Sequence, residues 1–587
     1  MTIEPNHQSN GDGRTSPASD PSSRSRTQGD RPAAAPTSGA AESGPPETAS
    51  SGSSSAGSGP RGSCATGSRT AVSDPAASDA ADHASRDPDT PWSETLERGG
   101  CRVAETTLAS GMRLIVGERH TDPIVAVLVF YGVGSVHEPA EIAGVSHFLE
   151  HMMFKGTKTV GKGEVDRLTA LLGGQNNAFT GKDHTGYWFE FASDRWTQAL
   201  AIEADRMANL ALDPVEFEAE REVVLEELAM GLDDPWRAIS QDVETLACGD
   251  HPYGRPIIGT KESVEAITRE AMYAHYRSAY APSNATVVVC GDVERDDVLA
   301  QVATAFADAA RDVEPLPTPE PFESALVAPP DVTLAGTSPA AEPAAEPALR
   351  SGPVAHRVRR TWPDEGHRLC IVWPGARCGD VDDFALDFVQ TILTTGRNAT
   401  MTRALVVDGD LCTYVSTAND ARAHGGLFWL FAQGSNAAGE AQLEASIEAQ
   451  ILRLAEDGPT AAEMERAMGI LVSGDAFESE GVSDVAEQLG GFALDADWRI
   501  ALDGGERHRA ITADQVRDVC RRLLPFSRAA VGWSLPAEEG ASASEAVDTA
   551  IGAALDAGDD AGVEAIEEGG FDDDASDDRE SNDPVTS

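Results

Sequence analysis

Stretches with different patterns of hydrophobic and polar residues follow one another along the chain. Residues 1–96 are mostly Ser, Gly, Pro, Ala and Asp, with almost no larger aliphatic or aromatic side chains. A segment of this kind buries too little apolar surface to offset the entropy lost when its backbone is ordered. We therefore expect residues 1–96 to be disordered.

The pattern changes in residues 97–312, where short apolar runs alternate with amphipathic segments. Ile124–Tyr131 and residues 285–292 are rich in β-branched residues and predict buried strands. Residues 108–120 predict a hairpin, and the segments between the strands have the period of helices. This order of strands and helices is typical of an α+β domain.

The same pattern returns after a linker. Residues 313–352 repeat Pro, Ala and Glu, which predicts an extended linker. In residues 353–535, strands are predicted at 369–373 and 426–432, and helices at 382–395 and 438–456. Residues 536–587 form an acidic tail that we expect to be disordered.

The chain is strongly acidic, with a formal net charge of −52 and 97 Asp and Glu against 45 Lys and Arg. This charge disfavours binding to the phosphates of nucleic acids. Few of the basic residues are lysines, and such a surface suits concentrated salt, in which the repulsion between charges is screened. Replacement of Lys by Arg in a GC-rich genome is the alternative explanation of this composition.

Other features of the sequence indicate the cellular compartment. The beginning of the sequence has no basic segment followed by an apolar one, so it does not resemble a secretory signal. Uninterrupted apolar runs are all shorter than a membrane-spanning helix, which predicts no membrane contact. The 8 cysteines include no Cys-x-x-Cys pair, which fits a reducing compartment and argues against a thiolate zinc site. Together these features predict a cytoplasmic protein.

The strongest chemical motif is His-x-x-Glu-His, formed by His147, Glu150 and His151. On a helix these side chains lie within one narrow arc. The opposite, apolar face is formed by Ile142, Val145, Leu149 and Met152. Two imidazoles one turn apart can hold one face of a Zn²⁺ ion, and the glutamate between them then lies beside the zinc-bound water. The alternative is a polar helix face on which two histidines stack without a metal.

A second predicted helix, which begins after Asp213, supplies carboxylates. Asp213 suits the N-cap and Glu216 the capping-box position. Glu220 and Glu227 lie two turns apart on one face, flanked by two valines. Carboxylates within an apolar stripe need a partner, because a bare buried charge is costly. A metal ion with its histidine ligands would be that partner.

These motifs resemble the insulinase or pitrilysin family of zinc peptidases, and most closely the branch that contains the β subunit of mitochondrial processing peptidase. Further matches are Gly-Gly-Gln-Asn-Asn-Ala-Phe-Thr at 173–180, His-Pro-Tyr-Gly-Arg-Pro at 251–256 and Tyr-Ala-Pro-Ser-Asn at 280–284. The resemblance implies one Zn²⁺ per chain, held by His147, His151 and Glu227. It also implies that Glu150 is the general base on the zinc-bound water and that Glu220 contacts a ligand rather than the metal.

The resemblance further implies a fold of two homologous domains, residues 97–312 and 353–535. Each domain would hold an antiparallel-rich sheet packed with helices, the two domains would face each other across a cavity, and only the first would bind zinc. The implied activity is that of an endopeptidase. It would hydrolyse peptides or unfolded segments held as an added β-strand beside Asn177, Ala178 and Phe179.

One departure from the family lies in the second domain. Active members carry an Arg seven residues before a Tyr, and both reach the substrate, but alignment on Leu411 puts Val406 and Thr413 at these positions. Arg403 and Tyr414 lie nearby. Tyr414 is displaced by one residue, however, and in a strand it would point to the opposite face. The pair is therefore predicted to be lost, with Arg403 and Tyr414 as the candidate substitutes.

Three functions remain open on the sequence alone. The chain is a peptidase by itself, or it is a catalytic subunit that is active only with a homologous partner chain. The partner would form a homodimer, or a heterodimer with a homologue that lacks the zinc motif. The third reading is a structural member of the fold without catalysis.

Overall fold

The computed structural model describes residues 91–93, 95–309, 311, 313–322, 324, 326, 356–435 and 439–537. Nearly all of the segment predicted to be disordered, much of the linker and the acidic tail beyond residue 537 lie outside these ranges. Within the described ranges, none of the helices is both long enough and apolar enough to cross a membrane.

The described residues form two sheets and a set of helices. The strands are β1 Leu96–Arg98, β2 Cys101–Thr107, β3 Arg113–Glu118, β4 Ile124–Tyr131, β5 Gln175–Thr180, β6 Thr185–Ala192, β7 Ala285–Gly291, β8 His356–Trp362, β9 His367–Pro374, β10 Cys412–Asp420, β11 Leu427–Gly434 and β12 Ala530–Pro536. The helices of the first half are α1 Val145–Met152, α2 Glu164–Leu171, α3 Thr197–Asn209, α4 Pro214–Leu232, α5 Pro235–Cys248, α6 Lys261–Ala266, α7 Arg269–Ala279 and α8 Arg295–Ala305. Those of the second half are α9 Val381–Leu393, α10 Thr400–Thr402, α11 Glu440–Asp457, α12 Ala461–Glu478, α13 Val482–Asp495, α14 Ile500–Ala510 and α15 Ala513–Leu523.

The first sheet has the strand order β1-β2-β3-β7-β4-β6-β5. Its neighbouring strands are antiparallel except for β3 and β7, which are parallel. The central strands β4 and β7 are the two β-branched apolar runs of the sequence, and both are buried along almost their whole length. Their prediction as buried strands is confirmed, and β5 is left at the edge of the sheet.

The second sheet has the order β10-β11-β9-β12-β8, with β8 and β12 parallel and the other neighbours antiparallel. The strands and helices predicted for this half are found as β9, β11, α9 and α11. The predicted α+β class with two sheet-containing domains is confirmed. Here β10 lies at the edge, as β5 does in the first sheet.

Each sheet is covered on one face by a helix from the other half of the chain. Ile239 and Val243 of α5 lie in one apolar cluster with Val372 of the second sheet. Leu489 of α13 lies in another cluster with Phe130 of the first sheet. At these helices the two halves meet through packed apolar side chains.

The described beginning of the linker also packs between the two halves. The ring centroid of Phe322 is 5.2 Å from that of His251 and 5.8 Å from that of Tyr253. Its N–H donates to the carbonyl of His424 at 2.7 Å, and Leu326 is fully buried nearby. The described residues of this part of the linker form no helix or strand, and Phe322 and Leu326 add to the core between the halves. The predicted domain boundaries stay predictions.

Candidate metal centre

The helix that carries the His-x-x-Glu-His residues begins at Val145, because the chain turns at Gly144. Gly144 has φ 93°, in the left-handed region, and a Cβ there would overlap a neighbouring carbonyl oxygen. The buried carboxylate of Glu138 accepts a hydrogen bond from the N–H of Gly144 at 2.7 Å and helps to cap the helix. The turn places Ile142 in a preceding 3-10 helix, so the prediction that Ile142 belongs to the apolar face of α1 was wrong.

One face of α1 is buried and the other carries the chemistry. The buried residues of the helix are Val145, Ser146, Phe148, Leu149 and Met152. Phe148 stacks on Phe217 of α4, with ring centroids 4.9 Å apart, and so holds the two helices together. His147, Glu150 and His151 are half-buried on the side that the core does not cover.

The start of α4 is fixed by Asp213. As predicted, Asp213 is the N-cap, and its carboxylate accepts hydrogen bonds from the N–H groups of Val215 at 2.9 Å and Glu216 at 3.2 Å. The predicted capping box is not formed. Glu216 instead binds the Nζ of Lys162 at 2.5 Å, because the lysine offers a full positive charge to that carboxylate.

Glu220 and Glu227 lie on α4 as predicted, but in different surroundings. The side chain of Glu220 is 8% exposed, whereas that of Glu227 is 38% exposed. Val224 is buried but Val223 is 46% exposed, so the predicted apolar stripe around both carboxylates is interrupted. The reason is that α4 covers α1 with one face only, and Glu227 lies at the rim of that buried face.

His147, His151 and Glu227 bring three metal-binding atoms together. Oε2 of Glu227 is 3.8 Å from Nε2 of His147 and 3.6 Å from Nε2 of His151, and the three ligand atoms all lie within 4.8 Å of one another. Zinc bonds of about 2.0–2.1 Å in a tetrahedral site separate two ligand atoms by about 3.4 Å, so the residues fit a zinc ion. Among the described residues, no other three His, Cys, Asp or Glu side chains converge in this way.

The two histidines are held differently. Nδ1 of His151 is 3.0 Å from Oε1 of Glu220, whose Oε2 is 2.5 Å from Nζ of Lys155. A carboxylate in this place accepts a hydrogen bond from the protonated Nδ1 and leaves Nε2 free for a metal. Nδ1 of His147 is buried without a hydrogen-bond partner in the described part of the chain. Burial, aided by His151 and Arg237, lowers the pKa of His147 to about 4, so this histidine is neutral at pH 7, as a metal ligand must be.

Glu150 lies between the two histidines in sequence but binds a residue of β5. The hydroxyl of Thr180 donates to Oε2 of Glu150 at 2.6 Å. Burial raises the pKa of Glu150, although the hydrogen bond from Thr180 and the nearby His151 act in the opposite direction. A raised pKa makes a carboxylate a stronger base at neutral pH. Sequence reasoning missed Thr180, although it is the last residue of the Gly-Gly-Gln-Asn-Asn-Ala-Phe-Thr motif.

The edge strand β5 contains Asn177, Ala178 and Phe179. One side of β5 pairs with β6, and the other side has no strand partner among the described residues. Oδ1 of Asn177 accepts a hydrogen bond from the N–H of Ala178 at 2.9 Å and so covers one backbone donor of this strand. Phe179 is half-buried, with its ring centroid 6.0 Å from that of Phe130. The substrate-binding roles of these three residues stay predictions.

A bulge in β10 changes the placement of Tyr414. The strand register shifts between Cys412 and Tyr414, and Thr413 and Tyr414 are both exposed. The bulge interrupts the regular alternation from which Tyr414 was predicted to point to the face opposite Thr413, and that placement stays a prediction. Tyr414 is 39% exposed, so its ring is open to solvent beside the edge of the second sheet.

A similar irregularity precedes this strand. Arg403 begins a π-helical turn, Arg403–Val407, and its Nη2 lies 3.0 Å from Oδ2 of Asp408. Arg403 is exposed, whereas Val406 is half-buried and packs against the core of the second domain. The position predicted for the substrate-binding Arg is therefore occupied by a packing residue.

Two family models match adjoining parts of the chain. Residues 113–261 match the insulinase family, peptidase family M16, and residues 266–471 match the peptidase M16 inactive domain. An uncharacterized zinc protease of Mycobacterium leprae is 40% identical over 35% of this chain and 46% of its own length. A second one, from Mycobacterium tuberculosis, is 30% identical over 71% of this chain and 90% of its own length.

Solved structures share the fold. A protease from Helicobacter pylori has a TM-score of 0.66 at 21% identity and covers 74% of this chain and 100% of its own. A peptidase M16 inactive domain from Pseudomonas fluorescens has a TM-score of 0.64 at 18% identity and covers 74% of this chain and 98% of its own. The named zinc proteases among the relatives agree with the three ligand atoms on α1 and α4. The family models and the mycobacterial relatives together place this chain in the insulinase family of peptidases, family M16.

Proposed function

We propose that this protein is a zinc-dependent endopeptidase whose metal is held by His147, His151 and Glu227. The observation that carries the proposal is the convergence of three ligand atoms beside Glu150, a half-buried carboxylate fixed by one hydrogen bond. The relatives named zinc proteases support the choice of metal. When bound, zinc supplies a positive charge that acidifies water and polarises a peptide carbonyl.

The side chains around this site have separate tasks in the proposed reaction. Glu150 accepts a proton from the attacking water and later passes it to the leaving amine. Glu220 holds the Nδ1 proton of His151 and so keeps Nε2 directed at the metal position. Lys155 keeps Glu220 in place. The half-buried surroundings exclude part of the bulk water and strengthen each of these interactions.

The proposed substrate is a peptide or an unfolded segment that is added as a strand along the open edge of β5. Such an edge offers backbone donors and acceptors that pair with any extended sequence, so affinity comes with a loose sequence preference. Asn177 must release the N–H of Ala178 before a substrate can use it. The preference is therefore for segments that are already extended rather than for folded domains.

Metal content and peptide cleavage test this proposal together. The purified protein is expected to hold about one zinc per chain, to cleave a quenched peptide and to lose this activity to a strong chelator. Glu150→Gln is expected to keep its zinc and to lower kcat about 10²–10⁴-fold, because it removes the base and spares the ligands. Glu227→Gln is expected to lose zinc. Wild-type rates in Glu150→Gln would refute the assigned base.

A second candidate is a catalytic subunit that needs a homologous partner chain. It is favoured by the packing of Val406 against the core of the second half and by the exposure of Val407 and Tyr414 beside the edge strand β10. Titration with candidate homologues, with peptide cleavage as the readout, is expected to raise the activity. High activity in a sample that light scattering shows to be this chain as a monomer would exclude a required partner. A loss of that activity in Arg403→Ala or Tyr414→Phe would then identify these residues as the substitutes.

A further inference from the structure

Thr180 joins the edge strand to the proposed base. It is the last residue of β5, and its hydroxyl donates to Oε2 of Glu150 at 2.6 Å. No other described residue donates a hydrogen bond to this carboxylate. A short hydrogen bond from a hydroxyl to a carboxylate is among the stronger ones in proteins, so it fixes one oxygen of Glu150 and leaves the other to act.

The alternation of side chains along β5 gives Thr180 this contact. Ala178 packs against the core that contains α1, whereas Phe179 packs against the cluster on the other face of the sheet. Because successive side chains of a strand point to opposite faces, Thr180 shares the face of Ala178 and points toward α1. The strand with the open edge therefore also holds the base.

The end of β5 is anchored by the turn that follows it. Nζ of Lys182 donates to the carbonyl oxygens of Tyr253 at 2.7 Å and Arg255 at 2.8 Å. The hydroxyl of Tyr253 donates to Oδ1 of Asp183 at 2.6 Å. These contacts fix the backbone next to Thr180, while the outer edge of residues 175–179 has no strand partner in the described part of the chain. Thr180 thus lies where the fixed turn and the open edge meet.

We propose that Thr180 is a positioning residue that orients Glu150, and that a peptide paired with β5 strengthens this orientation by holding the strand. The inference rests on the proposed function, since it names the step by which strand addition reaches the base. Its consequence is that substrate pairing and proton transfer are coupled through one side chain. A threonine that only filled space would show no such coupling.

Thr180→Val and Thr180→Ser separate a role in positioning Glu150 from a role in filling space. Valine keeps the β-branched shape and removes the donor, whereas serine keeps the donor. Thr180→Val is expected to lower kcat about 10–100-fold with little change in KM, since a misplaced catalytic group costs rate rather than affinity. Thr180→Ser is expected to restore most of kcat. Both variants are expected to keep wild-type zinc content, because neither touches a ligand.

A matched control lies across the hairpin. Thr185 faces Thr180 in the strand register, and its hydroxyl donates to the carbonyl of Val133 rather than to Glu150. Thr185→Val is expected to lower the melting temperature and to leave kcat within about twofold of the wild type, because it removes a buried hydrogen bond away from the base. An equal loss of kcat in Thr185→Val would assign the effect of Thr180→Val to general strain in the hairpin and overturn the proposal.

Crystal structures give a readout that needs no activity. In Thr180→Val the carboxylate of Glu150 is expected to leave its wild-type position, and in Thr180→Ser to keep it. An unchanged Glu150 in Thr180→Val, a raised KM at unchanged kcat, or no rescue by serine would each overturn the positioning role. A failure of the proposed function itself would look different. The wild-type protein would then bind zinc and keep the contact between Thr180 and Glu150, but it would show no cleavage that depends on Glu150.

Discussion

Lys155 follows His151 by four residues, just past the end of α1, and contacts Glu220 rather than a metal-binding atom. Its Nζ compensates the charge of a carboxylate whose side chain is 8% exposed, so that Glu220 stays available for Nδ1 of His151. Removal of the lysine leaves that buried charge without its cation. The effect should reach the metal through the orientation of one imidazole.

We therefore expect Lys155→Met to weaken zinc binding about 10–100-fold, the usual cost of losing a group that holds a metal ligand in place. Competition with a fluorescent chelator measures this affinity. Lys162→Met is the matched control. Lys162 also follows α1 and pairs with a glutamate of α4, Glu216, but it is largely exposed and contacts no candidate metal ligand. Equal zinc affinity in the two variants would contradict the assigned role of Lys155.

His508 gives the second domain a dependence on pH. Its Nε2 lies 2.9 Å from Oδ2 of Asp387 and its Nδ1 3.8 Å from Oδ2 of Asp475. Burial disfavours the charged imidazole, but the two carboxylates outweigh burial and raise the pKa of His508 to about 9. The pKa of His508 in the folded protein thus lies above the ordinary value of about 6.5. The ion pairs of charged His508 therefore stabilise the fold fully below pH 6.5, and this stabilisation is lost as the pH rises through 9.

The melting temperature is accordingly expected to fall between about pH 6.5 and 9, with up to about 3 kcal/mol of stability lost. In His508→Gln this part of the pH dependence should be absent, because glutamine keeps a donor but does not titrate. Thermal denaturation of both proteins over this range provides the comparison. A parallel decline in the two would assign the effect to other groups.

Local spacing predicted the residues of α1 that meet at the candidate metal centre, but it did not predict the long-range contacts that support them. His147, Glu150 and His151 are found on one turn of helix, which a sequence pattern describes completely. Thr180 lies 30 positions from Glu150, and nothing in the spacing of the two residues indicates their contact. The bulge before Tyr414 was likewise not predicted, since a bulge is an exception to the alternation on which strand predictions depend.

Gly490 lets α13 approach the first sheet closely. A Cβ at Gly490 would overlap the ring of Phe130 on β4, whereas a Cβ at Gly491 would meet nothing within 4 Å. Gly490→Ala is expected to destabilise the protein by about 1–3 kcal/mol through overpacking. Gly491→Ala is expected to stabilise it by up to about 1 kcal/mol, because alanine favours the helix. Urea unfolding of the two variants measures both values, and destabilisation by both would contradict this account of the contact.

The strands and helices themselves were largely predictable from the sequence, but the elements against which they pack were not. Apolar runs of β-branched residues predicted β4 and β7 correctly, because a strand buried on both faces has few polar positions. The amphipathic period of α5 and α13 shows that each helix buries one face. It does not show which sheet receives that face, and in both cases the sheet lies in the other half of the chain.

The whole molecule carries a net charge of −52, which should make its stability depend on salt. At about 1 M salt the Debye length is about 3 Å, so repulsion between surface carboxylates is largely screened. We expect the melting temperature to rise between low salt and about 1 M KCl. A neutral osmolyte at the same osmolality is the control for solvent exclusion. A flat or falling curve in KCl would favour compositional drift as the origin of the acidic surface.

The covering of each sheet by a helix from the other half makes the two halves depend on each other. Residues 97–312 alone would expose the apolar face of α5 and leave the first sheet without α13. A protease cut in the linker should therefore leave two fragments that stay bound and unfold together. The halves produced separately should aggregate, and those produced in one cell should reassemble. A substitution that loosens either half would therefore also expose the core of its neighbour.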